Sequence, residues 1–308
     1  MRAILRKELA DYFTSIRFLV LFLLVLLASA GGLYAGFQGI RGAGAGEFVF
    51  LRLFTTSGEA LPSLVFFIGL FVPIIGIALG FDAINSERTG GTLSRIMSQP
   101  VFRDSVINGK FLAGIVTLSI MVTTMLLLVS GYGLRMIGVP PTAEEIIRLF
   151  IYLVLIIVYG AFWMGLAILF SVLFRRIAAS LLVSLALWLF FSFFILLIAP
   201  AIANALAPVT QNSTEAALIQ NAELQQMLLR FSPSVLFQET TTVLLLPLVR
   251  SLGVIAMSQA AYMIPNSPLS LGQSLLIIWP HLTGLVSLSV ICFAISYVLF
   301  MRQEIRAT

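Results

Sequence analysis

The chain has 308 residues, is 60% hydrophobic and only 10% charged, and has a mean hydropathy of +1.07. Soluble domains average about 25% charged residues, so this composition excludes an ordinary water-soluble fold. The net charge of +5 does not point to nucleic acid, because the basic residues flank apolar runs, where they orient membrane segments.

Apolar runs long enough to cross a hydrocarbon core of roughly 30 Å recur along the chain. The short alternating segments of a β-barrel are absent. The expected fold class is all-α: a polytopic membrane protein with six transmembrane helices, an N-terminal interfacial helix and a helical external segment between spans five and six. Cys292 stands alone, which excludes an intrachain disulfide and a cysteine metal cluster. His281 is also alone, so no two-histidine metal motif is available.

In residues 1–16, Leu5, Leu9, Tyr12, Phe13 and Ile16 fall on one helical face. Arg2, Arg6, Lys7, Glu8 and Asp11 largely occupy the others, the pattern of a helix lying along lipid headgroups. The first span is predicted at about 17–37. Its basic lead-in and the "ASA" at 28–30 imitate a secretory signal, but the lead-in is long for that, and the segment reads as a retained span. A Gly-rich loop, "QGIRGAGAGE", leads to span two at about 61–81. A polar block occupies 82–108. Spans three, four and five are predicted at about 109–134, 149–171 and 177–199, with Arg175 and Arg176 in a short loop before the fifth. Residues 200–273 carry Pro208, Pro233, Pro247, Pro265 and Pro268 among Glu215, Glu223, Arg230, Glu239 and Arg250. A span there would bury Arg250 at about 2.5–3.5 kcal/mol, so the stretch reads as an external cap of amphipathic helices. Span six is predicted at about 274–300.

Lys and Arg near the span ends favour an orientation with both termini in the cytosol. Arg2, Arg6, Lys7, Arg17, Arg88, Arg95, Arg103, Lys110, Arg175, Arg176, Arg302 and Arg306 then lie inside. Arg41, Arg52, Arg135, Arg148, Arg230 and Arg250 form a smaller outside set, spread over longer segments.

The polar block is the informative stretch. Asp82, Glu87, Arg88, Arg95, Arg103, Asp104 and Lys110 crowd into it and its edges. Burying them in lipid would cost on the order of 20 kcal/mol. The block is also punctuated: Gly90-Gly91 breaks the chain, and Thr92 is suited to cap a short helix beginning at Leu93. Leu93, Ile96 and Met97 share one face of that helix, and Pro100 stops the turn. A short amphipathic helix of this kind either floats on headgroups or docks into a cytosolic partner, and periodicity alone favours neither.

The run Glu87-Arg88, Gly91-Thr92-Leu93, Ser98-Gln99-Pro100, Arg103, Gly109-Lys110 resembles the cytoplasmic signature of ABC-2-type permeases. Its order, spacing and place between spans two and three fit that family, as does the layout of the whole chain. The resemblance implies a single transmembrane domain over residues 1–308, the membrane-spanning subunit of an ABC exporter, with 82–108 as its cytoplasmic coupling loop. Glu87, Arg88, Gly91, Thr92, Leu93, Ile96, Met97, Pro100, Arg103 and Lys110 are then the candidates for coupling to an ATPase subunit. The implied partners are that nucleotide-binding subunit, a second copy or homologous permease, and the lipid bilayer.

No cofactor is expected on this chain. Gly109-Lys110 is followed by Phe111 where a phosphate loop needs Ser or Thr, and Asp104 stands where its first Gly belongs. ATP and magnesium would therefore be bound by the partner, and this chain is expected to be a permease rather than an enzyme, in the cell membrane. The alternative is a secondary transporter or channel acting without an ATPase. The lack of carboxylates within the predicted spans speaks against it.

Gly32 with Gly36, Gly76 with Gly80, and Gly160 with Gly165 are small residues suited to close helix packing. In the aromatic run of span five, Trp188, Phe191 and Ser192 are candidates for a pathway or dimer interface, the latter role implied by the family resemblance. Trp279 and His281 read as an interfacial aromatic and its polar neighbour, with no acidic partner in a span.

Overall fold

The structure, a computed structural model, describes residues 1–43, 48–92, 102–210, 213–250, 252 and 268–303. No strand occurs among the described residues. Six helical stretches there are long and apolar enough to cross a membrane: Ile16–Ile40, Leu64–Thr89, Arg103–Ile137, Ala143–Leu173, Ile177–Leu206 and Leu271–Arg302. The chain divides into two compact units, Met1–Ala186 with Val286–Thr308, and Leu187–Leu285.

The first unit opens with α1 (Arg2–Thr14) and α2 (Ile16–Ala43), separated only by Ser15 in an extended conformation. The Ser15 hydroxyl accepts from Phe18 N–H at 3.1 Å, which starts the second helix at once. A short helix, α3 (Val49–Thr55), lies in the stretch expected to be a plain loop. Its Phe50, Leu51, Leu53 and Phe54 are buried. Their apolar run is too short to span a membrane, so it is not legible as an element in the sequence. It forms because its side chains fill the space beside α2 and the next helices rather than through any local signal.

Next come α4 (Leu64–Gly80), α5 (Asn85–Thr89), α6 (Arg103–Ile137) and α7 (Ala143–Leu173). α6 ends on Gly138 in the left-handed conformation, φ 72°. α7 starts with a capping box in which Thr142 and Glu145 satisfy each other's backbone N–H groups. α4 and α7 meet backbone to backbone. A Cβ on Gly76 would lie 2.6 Å from the Gly160 carbonyl oxygen, and one on Gly80 2.6 Å from that of Met164. The small residues thus let two helix backbones touch. Trp163, Tyr152 and Tyr159 of α7 are wholly buried.

Helix covers more of the two flanks of the polar block than its charges imply. Helix continues through a turn at 81–84 into α5, and α6 starts at Arg103 rather than near 109. Charge alone placed the expected boundaries. The structure instead carries helix through these residues by pairing Asp82, Glu87 and Lys110.

α8 (Ile177–Leu189) leads towards the second unit, which begins at Leu187. A π-helical turn, Phe190–Phe194, and α9 (Ile195–Leu206) continue the helix. It therefore runs past the expected end at 199 and through Pro200, and the fifth stretch long and apolar enough to cross a membrane extends to Leu206. Pro removes one backbone donor, and a long apolar helix tolerates this where neighbouring groups compensate. α10 (Glu215–Leu229) is pinned to α9 by the Asn221 amide, which donates to Asn204 Oδ1 at 2.9 Å and to the Ala207 carbonyl at 2.7 Å. α11 (Pro233–Leu245) has Pro233 in its first turn behind the Ser232 cap. It buries Val235, Leu236, Phe237, Val243, Leu244 and Leu245, and also Thr240 and Thr241. It is a largely buried helix of its unit. α12 (Leu271–Arg302) is the last helix among the described residues.

Candidate functional site: a charge buckle at the base of the polar block

Three elements distant in sequence bring four charges together. α1 supplies Lys7 and Glu8, α5 supplies Glu87, and the second turn of α6 supplies Lys110. Lys110 Nζ donates to Glu8 Oε1 at 2.9 Å and to Glu87 Oε1 at 3.2 Å. Lys7 Nζ lies 3.3 Å from the same two oxygens and 3.6 Å from Asp11 Oδ2. Two ammonium groups and two carboxylates therefore alternate. The side chains of Lys110, Glu8 and Glu87 are only 5%, 10% and 10% exposed. Such a buried arrangement persists only because each charge faces its opposite, and removing one member costs on the order of 3–5 kcal/mol.

Lys7 is half exposed. Burial pushes its ammonium down, but the carboxylates of Glu8 and Glu87 outweigh this and raise it above the usual lysine range. Burial, reinforced by Glu8 and Asp82, pushes the Tyr12 phenol up, so it stays protonated and donates to the Leu79 carbonyl at 2.8 Å. Arg17 meets Asp82 at 2.5 Å and sits over the Phe81 ring at 5.1 Å.

Glu87 and Lys110 face inward and hold each other. The Thr92 hydroxyl, expected to cap a helix beginning at Leu93, turns back to the Glu87 carboxylate. Gly91 adopts φ 64°, the left-handed conformation that suits glycine. Arg103 donates to the Gln303 carbonyl at 3.0 Å, and the Gln303 amide donates to the Val172 carbonyl at 2.9 Å, so the head of α6 is tied to the ends of α12 and α7. Arg88 is half-buried and reaches the Val172 carbonyl at 3.5 Å. Leu93, Ile96, Met97 and Pro100 lie outside the described residues.

Gly109 completes the site. A Cβ there would lie 2.8 Å from Ile4 Cγ2, so glycine is what admits α1 against α6. The Gly-Lys pair thus has a structural meaning: Gly109 makes room for α1 and Lys110 binds it.

The model for the ABC-2 family transporter protein matches residues 2–305. The chain belongs to the ABC-2 transporter family. It is also 32% identical over 183 residues to a probable ABC transporter permease protein, NosY, of Pseudomonas aeruginosa. That alignment covers 58% of this chain and 58% of the relative, so the likeness spans little more than half of either.

In this ABC-2 family chain, sequence reasoning missed several buried polar groups. Arg148 was expected at an outer span end. It lies inside α7, fully buried, with Glu144 at 2.8 Å. The neighbouring Glu145 accepts from the backbone N–H groups of Phe50 and Leu51 at 3.1 and 3.4 Å, which fixes α3. The T-x-x-E spacing at Thr142 was a legible signal for the cap, but nothing in it announced the reach to α3. His281 does have an acidic partner. Its Nε2 lies 2.5 Å from Glu239 Oε2, a group on α11 rather than on a span. The carboxylate is acceptor-only, so Nε2 donates, and the buried Nδ1 has no partner among the described residues.

Of the residues proposed for a pathway or dimer interface, Trp188 is buried and edge-on to Phe193. In the π-helical turn, Ser192 is half-buried. The Phe191 carbonyl accepts from Ser232 Oγ at 2.6 Å, and Ser192 Oγ lies 2.9 Å from Ser234 Oγ, so this turn receives the start of α11. Phe190, Phe193 and Phe194 of the same run are exposed.

Proposed function

We propose that this chain is the membrane-spanning permease subunit of an ABC exporter, driven by ATP hydrolysed on a separate nucleotide-binding chain. The observation that carries the reading is the buckle within a family-matched chain. The two helices that flank the block, α5 and α6, are held together by the Glu87–Lys110 pair and are bound to α1 through Lys7 and Glu8. A force applied to the intervening segment is therefore delivered to α4 and α6, which are spans, rather than lost in a slack loop. ATP closing the partner dimer would push on this segment and switch the transmembrane path between inward- and outward-facing states. ATP and magnesium belong to the partner. A second permease copy, or a homologue, completes the path, and the termini lie in the cytosol of a cell with this protein in its surface membrane.

The test is co-purification with the ATPase subunit and the rate of MgATP hydrolysis by the reconstituted complex, wild type against Leu93→Asp. The Leu93, Ile96 and Met97 face would contribute roughly 1.5–3 kcal/mol per side chain to docking, before ordering costs. An aspartate at 93 removes part of that and adds an unpaired charge. The variant is expected to insert normally and to lose permease-dependent hydrolysis. A variant that binds and stimulates like wild type overturns the docking role. A wild type that recruits no ATPase favours a transporter working alone.

A further inference from the structure

We propose that Glu8 is a positioning residue that fastens α1 to the base of the polar block, so that α1 and the block are displaced as one body and α1 passes the stroke into the first span. The inference rests on the permease reading and assigns a role to a residue outside the family-like motif.

Contacts of the N-terminal segment grip both ends of the block. Upstream, Tyr12 holds the Leu79 carbonyl and Arg17 holds Asp82. Downstream, Ile4 packs on Gly109 and Glu8 holds Lys110. Glu8 and Glu87 share the same two lysines, so the Glu87 end of the block cannot leave α1 without separating buried, poorly screened charges. Only Ser15 separates α1 from α2, with no slack between them. Movement of α1 is therefore imposed on the first span directly.

The geometry also supplies a covalent substitute for the buckle. A Cβ placed on Gly109 falls 3.3 Å from Ile4 Cβ, close to the roughly 3.5–4.5 Å that a disulfide spans. Cysteines at both positions, in a Cys292→Ser background, should cross-link on oxidation and clamp α1 to α6 without Glu8.

The experiment uses the reconstituted permease–ATPase complex with MgATP. Glu8→Gln is expected to co-purify with the ATPase, yet to lower permease-dependent hydrolysis at least fivefold. Adding Ile4→Cys and Gly109→Cys and oxidising should restore the rate, and reduction should remove the rescue. A merely structural defect would not track the redox state of this pair. Unchanged hydrolysis in Glu8→Gln, or no rescue on cross-linking, overturns the proposal.

Should Glu8→Gln fail to accumulate, the two cysteines alone decide. Cross-linked complex that keeps turning over supports a single moving body, and complex that stops and restarts on reduction refutes it. A wild-type chain that recruits no ATPase overturns the permease reading itself, and with it the role given to Glu8.

Discussion

Glu239 receives His281 at 2.5 Å and Arg230 at 3.2 Å, with the Gln226 amide 3.4 Å from its other oxygen. Burial alone would raise this carboxyl. The His281 hydrogen bond and the Arg230 charge outweigh burial and hold it below the ordinary glutamate range. A carboxyl with a depressed folded value stabilises the fold above its unfolded value, near 4.5, and that contribution is lost as pH falls through the folded one. The melting temperature of the detergent-solubilised protein should therefore fall as pH drops below about 4.5. Glu239→Gln should be less stable than wild type at pH 7 and show a flatter decline in acid. Differential scanning fluorimetry across pH measures both, and parallel curves for the two proteins would refute the assignment.

At the scale of elements, the α4–α7 contact depends on glycine for space. A Cβ on Gly76 meets the Gly160 carbonyl oxygen at 2.6 Å and Met164 N at 3.1 Å, both backbone atoms that no side-chain rotation can move away. Gly76→Ala should force the helices apart and destabilise by about 1–3 kcal/mol, the usual range for overpacking. Gly131 of α6 is the control, because a Cβ there meets nothing within 4 Å. Gly131→Ala should be neutral or slightly stabilising, since alanine favours helix. Equal melting temperatures for the two variants would show that α4 and α7 do not pack this closely.

For the whole molecule, the arrangement that matters is which ends of the six spans face the cytosol. The Lys and Arg bias of the sequence favours the polar block inside, together with both termini. In a Cys292→Ser background, a membrane-impermeant thiol reagent applied to intact cells should label Ser213→Cys and spare Ser94→Cys. The reverse pattern would invert the orientation and place the proposed ATPase-coupling segment on the wrong side.

Hydrophobic run length determined that this protein is all-helical and has six stretches fit to cross a membrane. A span needs about 20 consecutive apolar residues, and that is a property of local sequence. The polar block and its family likeness were legible for the same reason, as charges and glycines within one short segment. Which way those charges face was decided only by tertiary structure. The sequence offers Glu87 and Lys110 as residues for a partner, yet they are buried against Glu8, whose selection required knowing that α1 crosses α6 at Gly109. Likewise α3, the pairing of His281 with Glu239, and the docking of Ser232 on the Phe191 carbonyl join residues far apart in the chain. Periodicity reports which face of a helix is apolar. It does not report which distant helix supplies the opposite charge, because the reward for burying an ion pair exists only once both partners have been brought together.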